Sequence, residues 1–166
     1  MMERRIENLR PGLDLRPFDC GKEALNRCFQ NHALPGQAAN ASRTYVGLEG
    51  ETIIGFYALA VGHVAYDEAS PRLKRGLARQ PVPVMLLARL GVHKAWQGQG
   101  VGRALLRDAV LRTLQAAGIA GIRAFVTHAK DEEAKRFYEQ FDFRPLGTDP
   151  LHPGALLKDL KALAGS

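Results

Sequence analysis

The stretch Val84-Met-Leu-Leu-Ala-Arg-Leu-Gly-Val-His-Lys-Ala-Trp-Gln-Gly-Gln-Gly-Val-Gly-Arg-Ala-Leu-Leu106 governs how the rest of this chain is read. Its first part, Val84 to Val92, is a nearly continuous apolar run behind Pro81 and Pro83, the pattern of a strand buried on both faces. Its last part opens a helix, because Leu105, Leu106, Val110, Leu111 and Leu114 recur at helical spacing up to a stop near Gly118. Between the two, Gly98, Gly100 and Gly102 let the backbone turn tightly, approach a ligand and aim its amides at one point. Unpaired amides of a first helical turn and the positive end of the helix dipole favour an anion there, so a phosphate is the natural occupant. Lys94 and Arg103 flank the turn and add charge. The run lacks the Gly-Lys-Ser/Thr ending of a P-loop and follows earlier strands instead of opening the first βαβ unit, so neither NTP nor dinucleotide binding fits it.

Upstream of this stretch, Asp19 is placed to cap a helix with Leu25, Cys28, Phe29 and His32 on one face, ended by Pro35-Gly36. Arg43 to Leu48 and Thr52 to Val64 are rich in β-branched and aromatic residues and flank Glu49-Gly50-Glu51, which reads as a hairpin. Downstream, Gly121 to His128 is a short apolar strand. Asp131 is an expected N-cap, followed by Ala134, Phe137, Tyr138 and Phe141 on one helical stripe. Phe143-Arg-Pro and Ala155 to Leu160 supply two closing strands, with Pro145 to Pro153 as a loop. The order of elements gives an α/β (α+β) class around one mixed sheet.

A length of 166 residues, 46% of them hydrophobic, without repeats or a linker, makes residues 1–166 a single domain. No apolar leader or membrane-length span is present, so a cytoplasmic location and no membrane partner are expected. Cys20 and Cys28 are too few for a disulfide framework and lack a His or Cys cluster around them, so no metal is expected. The net charge of +6 is unevenly spread. From Ala69 to Arg107 there is no Asp or Glu, while Arg72, Lys74, Arg75, Arg79, Arg89, Lys94, Arg103 and Arg107 all fall there. Such a segment makes a positive face, either a solvated surface or the footprint of a polyanion.

The segment Leu90 to Leu106 resembles the acetyl-CoA motif of the GNAT acetyltransferases, Gln/Arg-x-x-Gly-x-Gly/Ala, with Gln97, Gly100 and Gly102 in the matching places. The wider chain is similar to a narrower branch, the GNAT toxins of toxin–antitoxin pairs, which acetylate the amino acid on charged tRNA. The similar pieces are Phe18-Asp-Cys-Gly21, Ser42-Arg-Thr-Tyr-Val46, the apolar run ending at Leu90, and Ala134-Lys-Arg-Phe-Tyr138. The resemblance implies a central mixed, mostly antiparallel sheet with helices on both faces. It also implies a set of residues that hold acetyl-CoA: Gln97, Gly98, Gln99, Gly100, Val101, Gly102 and Arg103 around the pyrophosphate, and the backbone of Leu90, Gly91 and Val92 along the pantetheine arm. Tyr138 would then be the catalytic residue, near the sulfur.

A phenol with an ordinary pKa of about 10 can donate a proton to a departing thiolate. On periodicity alone, Tyr138 is a core residue. No acid or histidine is evidently placed as a general base; His93 and His128 lie near strand ends and read equally as structural. An α-amino group, with a pKa of about 7.7–8.0, needs little such help. Trp96 beside the motif serves either packing or base stacking. Arg72, Lys74, Arg75, Arg79, Arg89 and Lys94 are the expected tRNA contacts, since nucleic-acid binding calls for many phosphate contacts. The resemblance further implies an aminoacyl-tRNA acceptor, a small DNA-binding antitoxin as partner, and a homodimer. A housekeeping acetyltransferase for a small amine or protein N-terminus, and a non-enzymatic binding module, are the alternatives.

Overall fold

Glycine, proline and polar residues break the chain into elements in the order β1 (Arg4–Asn8), α1 (Glu23–Ala38), β2 (Arg43–Glu49), β3 (Thr52–Val64), α2 (Pro71–Lys74), β4 (Val82–Val92), α3 (Val101–Ala117), β5 (Ala124–Thr127), α4 (Glu132–Glu139), β6 (Arg144–Pro145), β7 (Pro153–Leu156) and α5 (Leu157–Ala164). The computed structural model describes residues 3–147 and 153–164, so most of the expected loop from Pro145 to Pro153 lies outside the described residues. The strands form a seven-stranded sheet in the order β1-β2-β3-β4-β5-β7-β6. The β4–β5 pair is parallel, and the β1–β2, β2–β3, β5–β7 and β6–β7 pairs are antiparallel. The chain divides into two units, Met1–Ala60 with Ala88–Ala109, and Val61–Leu87 with Val110–Ser166.

In the first unit the expected hairpin forms, with Glu49 opposite Thr52 and Gly50 in the left-handed region at φ 63°. A strand the sequence reading left unassigned, β1, pairs with β2 from Arg4↔Glu49 to Asn8↔Tyr45. Its charged composition hides it, since Arg5, Glu7 and Arg10 are ion-paired at the sheet edge. Helix α1 buries Leu25, Phe29 and Ala33, four residues apart, against Phe18, Val46, Leu48 and Phe56. Phe29 stacks on Phe56 at 4.2 Å and Phe18 meets both rings edge-on.

Two expectations for this helix are corrected. His32 is exposed rather than on the buried face. Pro35-Gly36 does not end the helix, which runs on to Ala38. The last turn persists because the Gln37 side chain ties it down, donating to the Leu9 carbonyl at 2.8 Å and accepting from the Thr44 amide at 3.1 Å.

Gly55 on β3 sets the seat of α3. A Cβ there would lie 2.7 Å from Leu105 Cδ1, 3.1 Å from the Gly91 carbonyl oxygen and 3.2 Å from Val101 Cγ1. The missing side chain is what lets the first turn of α3 press against β3.

The second unit is built on β4–β5, in register from Val84↔Ala124 to Leu87↔Thr127, and on β7 antiparallel to β5. Leu73, Val82, Val84, Ala124, Val126, Leu146 and Leu156 form its core. Asp131 caps α4 as expected, accepting from the Ala134 amide at 2.8 Å. The α4 helix ends at Glu139, so Phe141 lies beyond it, followed by Asp142 at φ 62°. The expected closing strand Ala155 to Leu160 is also corrected. Strand β7 stops at Leu156 and α5 begins at Leu157, with Leu160 fully buried. Gly154 marks the strand, since a Cβ there would sit 2.6 Å from the Phe125 carbonyl, whereas Leu157-Lys-Asp-Leu160 follows the helical spacing.

Candidate active site

The glycine turn is held from beneath by its own side chains and by the segment Phe18 to Gly21. Gln97 Nε2 donates to the Cys20 carbonyl at 2.9 Å and to the Val92 carbonyl at 3.0 Å, so this side chain braces the loop on protein backbone. The Lys94 amide donates to the Asp19 carbonyl at 2.8 Å, and Lys94 Nζ pairs with the Asp19 carboxylate at 3.0 Å. Asp19 is thus not the cap of α1 that the sequence suggested; the N-cap position is Lys22. Its carboxylate accepts instead from the Gly21 amide and Asn26 Nδ2, and these bonds together with Lys94 hold it far below the usual carboxylate range. The support role of Phe18-Asp-Cys-Gly21 left no signal in composition or periodicity.

On the outer side, Gly98 and Gly100 take φ values of 78° and 82°, which other residues rarely adopt, and a Cβ at either would meet nothing within 4 Å. An α-helical bond runs from the Ala104 amide to the Gly100 carbonyl at 3.1 Å, so Val101 and Gly102 belong to the first turn, whose amides precede the intrahelical ladder. A cleft of about 370 Å³, lined among others by Gln99, Gly100, Val101 and Ala104 and by Arg4 and Arg5, opens beside them. This is a geometry that fits a phosphate group.

The β5 pairing of β4 ends at Leu87, while β4 itself continues through Leu90, Gly91 and Val92. Their backbone thus lies beyond the β4–β5 ladder, the kind of strand edge that extended ligands pair with. Gly91 is dictated from behind: a Cβ there would be 3.0 Å from Phe56 and 3.1 Å from Leu25. His93 Nδ1 accepts from the Ala95 amide at 3.1 Å, and its ring meets Phe18 and Trp96 edge-on. Trp96 donates its indole N–H to Glu49 at 3.1 Å, which makes it a packing residue of the loop base.

In the second unit Tyr138 is buried on α4, stacked with Phe143 and edge-on to Phe137. Burial pushes its phenol up to about 12, opposed by a hydrogen bond with Thr127. Thr127, itself buried at the end of β5, donates its hydroxyl to the Leu87 carbonyl at 3.0 Å. The sequence reading missed Thr127, whose only mark is a polar residue closing an apolar strand.

Residues 40–145 match the family model of the acetyltransferase (GNAT) domain. The chain belongs to the GNAT acetyltransferase family. It is accordingly an N-acetyltransferase that uses acetyl-CoA, with the fold that the resemblance implied. Over 92% of its length, and 91% of the relative's, the acetyltransferase is 43% identical to the tRNA-acetylating toxin of Mycobacterium tuberculosis (strain ATCC 25618 / H37Rv). Among solved structures it is similar to AtaT complexed with acetyl-methionyl-tRNAfMet, at TM-score 0.87 and 26% identity, covering 97% of this chain and 99% of that one. It is likewise similar to a Tyr-to-Phe variant of AtaT bound to the C-terminus of the antitoxin AtaR and acetyl-CoA, at TM-score 0.84 and 26% identity, covering 99% of each chain.

Some basic residues of the acid-free segment of the acetyltransferase are ion-paired. Acids from outside that segment reach them: Arg72 pairs with Asp159 at 2.6 Å, Arg79 with Asp67 at 3.0 Å and Lys94 with Asp19. Lys74 and Arg79 both lie over the Tyr66 ring, at 4.6 and 5.7 Å from its centroid. Arg75 and Arg103 are exposed, and Arg89 is half-buried on β4. Among the described residues no group of three His, Cys, Asp or Glu is placed to hold a metal ion. No described helix is long and apolar enough to cross a membrane.

Proposed function

We propose that this acetyltransferase transfers the acetyl group of acetyl-CoA to the α-amino group of aminoacyl-tRNA, acting in the cytoplasm as the toxin partner of a DNA-binding antitoxin. The observation that carries this reading is the near-full-length likeness to the mycobacterial tRNA-acetylating toxin. The antitoxin is supported by the likeness to the AtaT–AtaR complex bound to DNA.

When bound, acetyl-CoA supplies an activated acetyl thioester. The amides of Gly98 to Arg103 bind its pyrophosphate, with Gln97 keeping the turn in shape from below. Leu90, Gly91 and Val92 offer strand-like hydrogen bonds to the arm. Tyr138, protonated throughout the physiological range, donates its phenolic proton to the departing sulfur as the new C–N bond forms and the C–S bond breaks. Solvent takes the surplus proton of the amine and restores that of the phenol. No protein base is required, because an aminoacyl ester lowers an α-amine pKa that begins at about 7.7–8.0.

Incubation with labelled acetyl-CoA and a pool of charged tRNA tests the reading. Label on aminoacyl-tRNA is expected; label confined to small amines or peptides would replace the reading with that of a housekeeping acetyltransferase.

A further inference from the structure

A second concave site lies in the second unit, and the acetyl transfer itself makes no use of it. A cleft of about 490 Å³ is lined by Arg72, Arg75, Arg123 and Lys158, with Ile122 and Leu156 among its apolar lining. Arg72 and Arg75, by the α2 turn, belong to the acid-free run and were expected tRNA contacts; Arg123 at the entry to β5 and Lys158 in the first turn of α5 come from outside it. Arg123 builds the site: its Nε–H donates to the Leu73 carbonyl at 2.9 Å and its Nη2 to the Arg75 carbonyl at 3.0 Å. These bonds fix the end of α2 against the start of β5. Among the described residues Asp159 is the acid that meets this group, pairing with Arg72 at 2.6 Å, and both members of that pair are partly exposed. Counted over the described residues, four cations and one acid around this cleft make it positive.

A solvated charge run spreads its charges over a convex surface, whereas these converge on a concavity with apolar walls. A ligand that suits both features alternates negative charge with flat, weakly polar surface. The sugar–phosphate backbone of a nucleic acid does so, and guanidinium forks match phosphate oxygens. We infer that this cleft grips the phosphodiester backbone of the tRNA whose aminoacyl end is acetylated, through the exposed Arg72, Arg75 and Lys158 and the half-buried Arg123. The inference rests on the tRNA-directed reading above.

The test uses Arg75→Ala, Lys158→Ala, the double variant and the charge reversal Lys158→Glu, all in the full chain. In the double variant KM for aminoacyl-tRNA should rise about tenfold or more, and the slope of log KM against log salt should fall by about two, as for two lost phosphate contacts. Lys158→Glu should weaken tRNA more than Lys158→Ala. Acetyl-CoA affinity, melting temperature and transfer to a short aminoacyl ester without a tRNA body should stay as in the wild type. Wild-type KM and salt slope in the double variant would overturn the inference, and so would an equal loss with the short ester, which would mean that the residues act through the fold. Retained tRNA affinity with lost binding of a synthetic acidic peptide would reassign the cleft to a protein partner. If the wild type acetylates no charged tRNA, the functional reading itself fails; if it does and the variants match it, only the cleft assignment fails.

Discussion

The sequence presented core packing and proton donation as alternative roles for Tyr138, and the proposed function gives it both. Its ring packs with Phe137 and Phe143, as its place on an apolar stripe required, while its hydroxyl meets Thr127. A phenol of ordinary pKa is already protonated at neutral pH, so burial, which pushes this one up to about 12, adds nothing to the supply of the proton and makes the phenol a weaker donor. Tyr138→Phe retains the ring and removes the proton, so kcat should fall about 10²–10⁴-fold with acetyl-CoA affinity kept. Unchanged turnover would return Tyr138 to the core alone. Thr127→Val removes the hydroxyl that orients the phenol and that reaches the Leu87 carbonyl. It should lower kcat about tenfold at unchanged KM for acetyl-CoA, with Thr127→Ser restoring most of the rate; a Ser variant as slow as Val would argue for a packing effect. The same phenol has a signature in stability. Its folded value of about 12 lies above the ordinary 10.0, so between those pH values the folded state holds a proton that the unfolded chain gives up. The stabilisation is therefore complete below pH 10 and lost as pH rises through 12. Thermal melts should show a shallower alkaline decline in Tyr138→Phe than in the wild type.

At the scale of elements, legibility tracked how far each segment's own pattern matched its final environment. Strand β4 and helix α3 were readable because both are apolar at their natural period, and the glycines between them have one good use. Strand β1 was not, since its edge position lets Arg5 and Glu7 pair in solvent instead of displaying an alternating apolar face. The end of α1 was misread because Gln37, with bonds to Leu9 and Thr44 that no local rule anticipates, outweighs the proline. For the candidate site, the cradle was visible as glycines, while its supports, Asp19 and the Cys20 carbonyl, were not, and neither was Thr127 beside Tyr138; all are single residues brought in from elsewhere in the fold. Gly55 belongs with those hidden supports. Gly55→Ala would drive a Cβ into Leu105 at 2.7 Å and the Gly91 carbonyl at 3.1 Å, lifting the first turn of α3 from its seat. A destabilisation of about 1–3 kcal/mol is expected, with acetyl-CoA binding weakened beyond what the loss of folded protein explains. Calorimetric titration of the folded variant checks this: wild-type affinity would show that the helix start is not positioned through Gly55.

For the whole molecule, charge read along the chain and charge read in space give different forecasts. The acid-free segment from Ala69 to Arg107 holds eight Lys and Arg residues. If each met a phosphate, log affinity for tRNA would fall with log salt at a slope of about −7, at roughly −0.9 per contact. Folding brings Asp159, Asp67 and Asp19 to Arg72, Arg79 and Lys94, and a cation already neutralised releases fewer counterions on binding. Lys74 is further engaged with the Tyr66 carbonyl and ring, and Arg89 is half-buried. Arg123 and Lys158, outside the segment, partly replace them at the cleft with Arg75. The slope of log affinity for aminoacyl-tRNA, taken as −log KM, should therefore be nearer −4, while acetyl-CoA, which the proposed site holds largely by backbone amides, should show a slope shallower than −2. Kinetics from about 50 to 200 mM salt separate the two forecasts. A slope near −7 would mean that tRNA breaks these ion pairs on docking, and the Asp159→Asn variant, with Arg72 released beforehand, would then bind tRNA more tightly than the wild type.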